Sequence, residues 1–296
     1  MNGQLGTTGW IERNAFRSML NEGTMKANLT LLNTDCTGSA DIHPLASIHP
    51  GANIGEGCTV GAYAVIGEDV SLGRQCVIHP HAVLTGPVTM DDGNEVFPFA
   101  CIGGAPQDLR HRGEATALQI GARNTFREHV TVGRGTMHGG GRTVIGNDNL
   151  VMAYCHVAHD CVLGNRIVMA NGATLAGHVR VDDHAVFGGM VAAASFVHIG
   201  ESAMIAAGSM LEKDVIPFSM VSGNRATLRG VNRVGIARRG FSELARREIK
   251  SIIRPLITRT TPLSQLMTEW GATLFHTPEA ARLLAFLRCL PRGMTR

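Results

Sequence analysis

The sequence predicts an all-β protein wound as a parallel β-helix, followed by a small helical domain. Three observations carry this: a six-residue aliphatic repeat, a glycine-rich and aromatic-poor composition, and a change of character after Pro217. Of 296 residues 36 are Gly. That share is about 12%, against ~7% in an average protein, and suits a chain of many short turns. The hydrophobic share of 44% excludes a disordered polymer, and the length allows a full core.

Every sixth residue from Ile42 is aliphatic for eleven positions: Ile48, Ile54, Val60, Ile66, Leu72, Ile78, Leu84, Met90, Val96 and Ile102 follow it. The phase holds at Ile120, Phe126 and Val132, slips by one residue, and resumes from Ile145 to Leu211. A helix cannot use this period, because 3.6 residues per turn would scatter the positions around its surface. A lone strand would show period two. A short strand plus a turn, with one inward aliphatic per face, fits. Three faces make a coil of 18 residues, and coils stack at the ~4.8 Å spacing of paired strands. Glycine and small residues are expected at the crowded corners.

Residues 1–35 read as a weakly structured extension, 36–217 as the β-helix, and 218–296 as a basic helical domain. Two polar, glycine-rich segments break the repeat, roughly 104–119 and 133–143, and are expected to be loops extruded from the prism. In the C-terminal part, an amphipathic helix is expected from about Ser242 to Arg254, ended by Pro255. Thr261-Pro262 and Thr277-Pro278 each offer an N-cap followed by Pro at N1, opening two more. The seven cysteines are scattered and odd in number, with no C-x-x-C pair, which fits reduced thiols in the cytoplasm. No signal-peptide h-region or membrane-spanning apolar run is present.

The net charge of +3 conceals a division and by itself argues against nucleic acid. Residues 225–296 hold 14 Lys/Arg and 4 Asp/Glu, a net of +10, while the remainder carries −7. Arg238, Arg239, Arg246, Arg247, Lys250 and Arg254 cluster on and beside the first helix. Such a patch is either a solvated face or a receptor for an anionic partner.

The segment YCHVAHDC gathers His156, His159 and Asp160, and an 18-residue coil sets His178 directly over Asp160. Two imidazoles and a carboxylate on one patch suit a general base. Two other readings of the same residues stay open: zinc ligands, as in β-helical carbonic anhydrases, or structural surface histidines. No Ser or Cys has a matched base, which favours direct transfer over a covalent intermediate.

The segments PQDLRHRGEATALQIG, RNTFREHVTVGRGTMHGGGRTVIGNDNLVMAYCHVAHDCVLGN, NGATLAGHVRVDD and GVNRVGIARRGFS together resemble one family from about Asp41 onward. It is the family of acyl-acyl carrier protein–UDP-N-acetylglucosamine O-acyltransferases that begin lipid A synthesis. The resemblance implies a left-handed parallel β-helix with a C-terminal helical domain, working as a homotrimer with sites between subunits. It implies His159 as general base on the sugar 3-hydroxyl, Asp160 as its support, and the Gly177 N–H as oxyanion donor. Gln107, His156 and His178 would line the sugar and phosphate site, and Asp108 would contact the acyl hydroxyl. Asn232, Arg238 and Arg239 match nucleotide-binding positions, and Ala207, with Ala206, matches a position that sets acyl length. The basic face of Arg246, Arg247, Lys250 and Arg254 would receive acyl carrier protein, whose thioester is co-substrate; no metal or other cofactor is implied.

The chain departs from the family pattern at Gly133, where HRGT is usual, and at Ala194-Ser195, where His-Gln usually precedes Phe196; Val234 replaces an acidic residue. These departures touch the acceptor side of the site. They keep open a paralogue acting on another nucleotide sugar or amino sugar, and a non-catalytic module that only binds carrier protein.

Overall fold

The computed structural model describes residues 39–258 and 261–295; the N-terminal extension expected at 1–35 lies outside them. The chain winds as a left-handed parallel β-helix with three sheets of 11, 9 and 8 strands. Face 1 begins at Asp41–Ile42, face 2 at Ser47–Ile48 and face 3 at Asn53–Ile54, and every third strand pairs with the first. Most strands are two residues long. In the first coils the last residue of each strand is the repeat aliphatic, and Val60, Ile66, Leu72, Ile78 and Leu84 are all buried. Two positions earlier a small or narrow residue also points inward: Cys58, Ala64, Val70, Cys76 and Ala82. The prism is thus filled by a large and a small side chain per face, and the core is a close-packed apolar column.

Glycine does sit at crowded corners as expected, but it is seldom the residue that turns them. The left-handed backbone position is filled mostly by ordinary residues, such as Tyr63, His81 and Asp160 with φ of 59°, 63° and 60°. Glycine instead sits where neighbouring coils nearly touch. A Cβ on Gly55 would lie 2.3 Å from the Gly73 carbonyl oxygen, and one on Gly73 would strike Asp92. Close approach between coils, more than turn conformation, uses the glycine.

Regular coils pair residues 18 apart, as Val60 with Ile78, but Val96 pairs with Phe126 across 30 residues and Phe126 with Val151 across 25. Both extra lengths leave from the corner between faces 2 and 3. The strands Cys101–Gly104 and Thr131–Gly133 run out of face 2, and Ala117–Ile120 and Arg142–Ile145 re-enter face 3 paired to each other. The loops are therefore 105–116 and 134–141, shorter than their polar composition suggests, because four-residue strands claim their ends. Where the coils widen, buried Asn94, Asn124 and Asn149 hand hydrogen bonds up the prism and keep the stack closed.

Past the last full coil, Ser219–Ser222 pairs parallel to Met204–Ile205 and then antiparallel to Thr227–Val231. Among the described residues four helices follow: α1 (Arg233–Arg238), α2 (Glu243–Thr258), α3 (Leu263–Gly271) and α4 (Pro278–Arg288). α2 does not stop at Pro255 but runs through it. Ile249, Ile252, Ile253 and Leu256 are fully buried, and seating Leu256 in the core offsets the hydrogen bond that proline cannot donate. α3 begins one residue later than Thr261 would set it, with Pro262 in the N-cap position and no side-chain cap. α4 does take Thr277 as its cap, whose hydroxyl oxygen accepts from the Ala280 N–H. That hydroxyl in turn donates to buried Glu248 of α2, which locks the two helices together. Among the described residues no helix is long and apolar enough to cross a membrane.

Candidate active site

The 18-residue coil puts Asp160 and His178 at the same corner position of successive turns, both with φ near 60°. The His178 N–H donates to the His159 carbonyl, which fixes their relative height. His159 Nδ1 lies 2.8 Å from Asp160 Oδ2, and His178 Nε2 lies 3.7 Å from the same oxygen. The two rings meet edge to face at 5.2 Å, and Phe196, one coil on, stacks over His178 at 4.4 Å. His156 sits three residues back on its strand, its Nδ1 2.7 Å from the Thr131 hydroxyl oxygen.

Asp160 is the electrostatic centre, and its side chain has no exposed surface. The loop 134–141 roofs it. The Thr136 N–H donates to Oδ1 at 2.8 Å and the Thr136 hydroxyl to Oδ2 at 2.6 Å, while the Asp160 N–H donates to the Thr143 hydroxyl oxygen. Gly139 lies so close that a Cβ there would fall within 2.3 Å of all three carboxyl atoms. Burial alone would raise the Asp160 pKa. The two Thr136 donors and His159 outweigh it, so the carboxyl is held below its ordinary value and stays charged. His178 and His156 are both lowered, chiefly by burial, and are therefore neutral near pH 7.

With Nδ1–H donated to Asp160, His159 keeps Nε2 free, and the ring lies against Gly177: a Cβ there would be 2.7 Å from Nε2. Only glycine leaves that space open. Among the described residues the Gly177 N–H makes no hydrogen bond, although its neighbours Ala176 and His178 are both bonded. An imidazole nitrogen and an unspent backbone donor thus sit side by side.

The remaining expected residues fall in three places. Gln107 and Asp108 are on the loop 105–116, and Asp108 reaches this cluster through His138, 3.1 Å away on the roofing loop. Its carboxyl is held well below the usual range by Arg110 side-chain and backbone donors, then by His138. Asn232, Arg238 and Arg239 lie at the corner between faces 3 and 1, separated from His159 by the width of face 3. Asn232 is buried there, with its oxygen capping α1 at Gly235 and its amide donating to the Ser202 carbonyl. Arg239 is bound to Glu201 and Ser202, whereas Arg238 is exposed and, among the described residues, carries no ion pair. Ala207 is exposed at the third corner, between faces 1 and 2. Arg246, Arg247, Lys250 and Arg254 line one cavity of about 650 Å³ between α1, α2 and Thr227–Val231, with Ile236, Ile253 and Ile257 as its apolar floor.

Thr136, Thr143, His138, Arg110 and Thr131 were not marked by the sequence. The two breaks in the repeat, at roughly 104–119 and 133–143, pointed to the neighbourhood of all but Thr131.

The His159, Asp160 and His178 ligand atoms lie within 4.8 Å of one another, close enough for a metal. Asp160 is nevertheless already satisfied by Thr136 and His159, and the chain's relatives point to acyl transfer instead. A family profile for the hexapeptide repeats of bacterial transferases matches residues 51–86 and 142–177. A second, described as UDP N-acetylglucosamine O-acyltransferase domain 2, matches 214–295. The acyl-[acyl-carrier-protein]–UDP-N-acetylglucosamine O-acyltransferase of Verminephrobacter eiseniae is 46% identical over 217 residues, covering 72% of this chain and 82% of that protein. The UDP-N-acetylglucosamine acyltransferase structure from Bacteroides fragilis superposes with a TM-score of 0.84 at 35% identity, covering 86% of this chain and 99% of that one. The one from Campylobacter jejuni gives 0.81 at 37%, with 86% and 99% covered. Fold, repeat, C-terminal domain and sequence thus agree, and the chain belongs to the acyl-[acyl-carrier-protein]–UDP-N-acetylglucosamine O-acyltransferases.

Proposed function

We propose that this protein transfers a 3-hydroxyacyl chain from acyl carrier protein to the 3-hydroxyl of UDP-N-acetylglucosamine, the first step of lipid A synthesis. The single observation that carries the mechanism is the His159 imidazole, tied by Nδ1 to a buried carboxylate and open at Nε2 beside an unspent Gly177 N–H. His159 Nε2 takes the sugar hydroxyl proton as that oxygen attacks the thioester carbonyl. Negative charge develops on the carbonyl oxygen, toward which the Gly177 N–H is a fixed donor. Asp160 stabilises the imidazolium that forms. Collapse expels the carrier-protein thiolate, which recovers the proton from His159. Base and leaving-group acid are the same residue, so no cofactor is required.

Gln107, His156 and His178 bind the sugar and its phosphates, Asp108 the acyl hydroxyl, and Asn232, Arg238 and Arg239 the nucleotide. In one protomer the nucleotide residues and His159 occupy different corners. We therefore assign the complete site to adjoining subunits of a homotrimer, with Ala207 limiting the acyl groove. The cavity of α2, basic at its rim and apolar at its floor, receives acyl carrier protein. The six described cysteines are all free thiols, which fits a cytoplasmic reaction.

Small side chains at Gly133, Ala194 and Ser195 leave the acceptor side less filled with polar groups than the family pattern. The test is a steady-state panel of UDP-sugars, amino sugars included, crossed with 3-hydroxyacyl carrier proteins of several lengths and read by mass spectrometry. The expected product is the O-acylated UDP-N-acetylglucosamine. Transfer confined to a different nucleotide sugar, or no transfer at all, overturns the assignment.

A further inference from the structure

The tip of the first loop is held from outside by one side chain. Among the described residues, the hydrogen bonds and ion pairs of 107–114 are internal to the loop, with one exception. Asp108 with Arg110, His111 with Glu114, and Arg112 with Glu114 and two loop carbonyls all stay inside it. The exception is His138 Nε2, 3.1 Å from Asp108 Oδ2. His138 belongs to a short 3-10 turn, Met137–Gly139, that cannot shift freely. Its cap Thr136 donates twice to Asp160, and its Gly139 rests on the same carboxylate. The two loops also share a stitched base, with Arg134 N–H on the Gly104 carbonyl and Ala117 N–H on the Gly141 carbonyl.

We infer that His138 is a positioning residue for the acyl donor: it clasps the Asp108 carboxylate to the Asp160 platform and so sets where the donor's 3-hydroxyl is received. This rests on the reading of Asp108 given above. Each Asp108 oxygen already accepts donors, with Arg110 supplying both at Oδ1 and one at Oδ2. Arg110 moves with the loop and cannot fix its place; the imidazole, anchored on the other loop, can. The second loop then serves both ends of the reaction, holding Asp160 behind the base with Thr136 and Asp108 over the donor with His138.

The test compares kcat/KM for 3-hydroxyacyl and unsubstituted acyl carrier proteins of equal length in wild type, His138→Ala and His138→Gln. The clasp predicts that His138→Ala lowers the preference for the hydroxyacyl donor about tenfold, the scale of one hydrogen bond to a charged group. The change should lie mainly in donor KM, and His138→Gln, which still offers an N–H, should restore most of it. A merely structural role would lower both donors alike. A preference that survives His138→Ala, an equal fall for both donors, or no rescue by glutamine overturns the clasp. Wild-type protein with no hydroxyacyl preference would instead remove the underlying role of Asp108.

Discussion

Two corners of the prism share one backbone geometry and do opposite things with it. Between faces 1 and 2, the left-handed positions carry Tyr63, His81, Phe99, His129 and Tyr154, which stack ring on ring at centroid spacings of 4.7–5.2 Å. The ladder stands in solvent, and Tyr154 is 65% exposed. Between faces 2 and 3 the same positions carry Asp160, His178 and Phe196, yet Asp160 is sealed and hydrogen-bonded on both oxygens. The difference is the roof. Both loops leave from the second corner, and the 134–141 loop excludes water from a carboxylate that the bare turn would have exposed. An imidazole is ordinary on either corner; the role proposed for His159 depends on the buried partner that a loop covers.

The strongest break in this comparison is paired substitution of corner histidines. His159→Ala is expected to lower turnover by about 10²–10⁴-fold, the usual range for a general base. His129→Ala, on the ladder, should leave turnover within about twofold, since stacking there contributes only ~1 kcal/mol to stability. Steady-state rates with matched thermal melts separate the two.

Gly139→Ala attacks the roof without touching a polar atom. Its Cβ must displace Asp160 or lift the loop. A loss on the order of 10²-fold is expected, because an ångström of misplacement costs about that much. Unimpaired turnover would show that the roof is not needed.

Thr136→Val removes one donor from Asp160 and should lower turnover about tenfold. Its pH signature is more specific. A carboxyl whose folded pKa is depressed contributes stability that is present above its unfolded value of 3.8 and lost as pH falls through the folded value. With the Thr136 hydroxyl gone the folded pKa rises toward the unfolded one, so Asp160's share of stability shrinks and acid loss begins at higher pH. His156 and His178 act closer to neutrality. Their folded values lie below 6.5, so the unfolded chain binds more protons and stability declines as pH falls below about 6.5. Melting temperature against pH reads both.

The smallest effect is expected farthest from the corners. Lys250→Glu on the cavity rim should raise KM for acyl carrier protein several-fold at low salt and less at high salt, with kcat unchanged. A salt-independent change would argue against electrostatic docking.

What could be read in advance follows the same division. The coil was legible because each step must bury one aliphatic, and the stacking of His178 on Asp160 followed from the 18-residue period alone. The roof was not. Thr136 and Asp160 meet across a widened coil for which no spacing rule exists, so the slip at TMHGGG marked a loop without revealing its contacts. Pro255 misled for a related reason. Local propensity ends a helix there, while the buried Leu256 beyond it belongs to the tertiary core. Asn232, recognisable by resemblance alone, is spent on capping α1, a contact visible only once that short helix is seen.

The most direct test of the account is a rapidly quenched single turnover in which sugar product and intact protein mass are followed together. The protein is first mixed with 3-hydroxyacyl carrier protein alone, and UDP-N-acetylglucosamine is added afterwards. Direct attack promoted by His159 predicts an unmodified protein mass throughout and acyl transfer only after the sugar is added, with the ester at its 3-oxygen. An acylated protein formed before the acceptor arrives would contradict it.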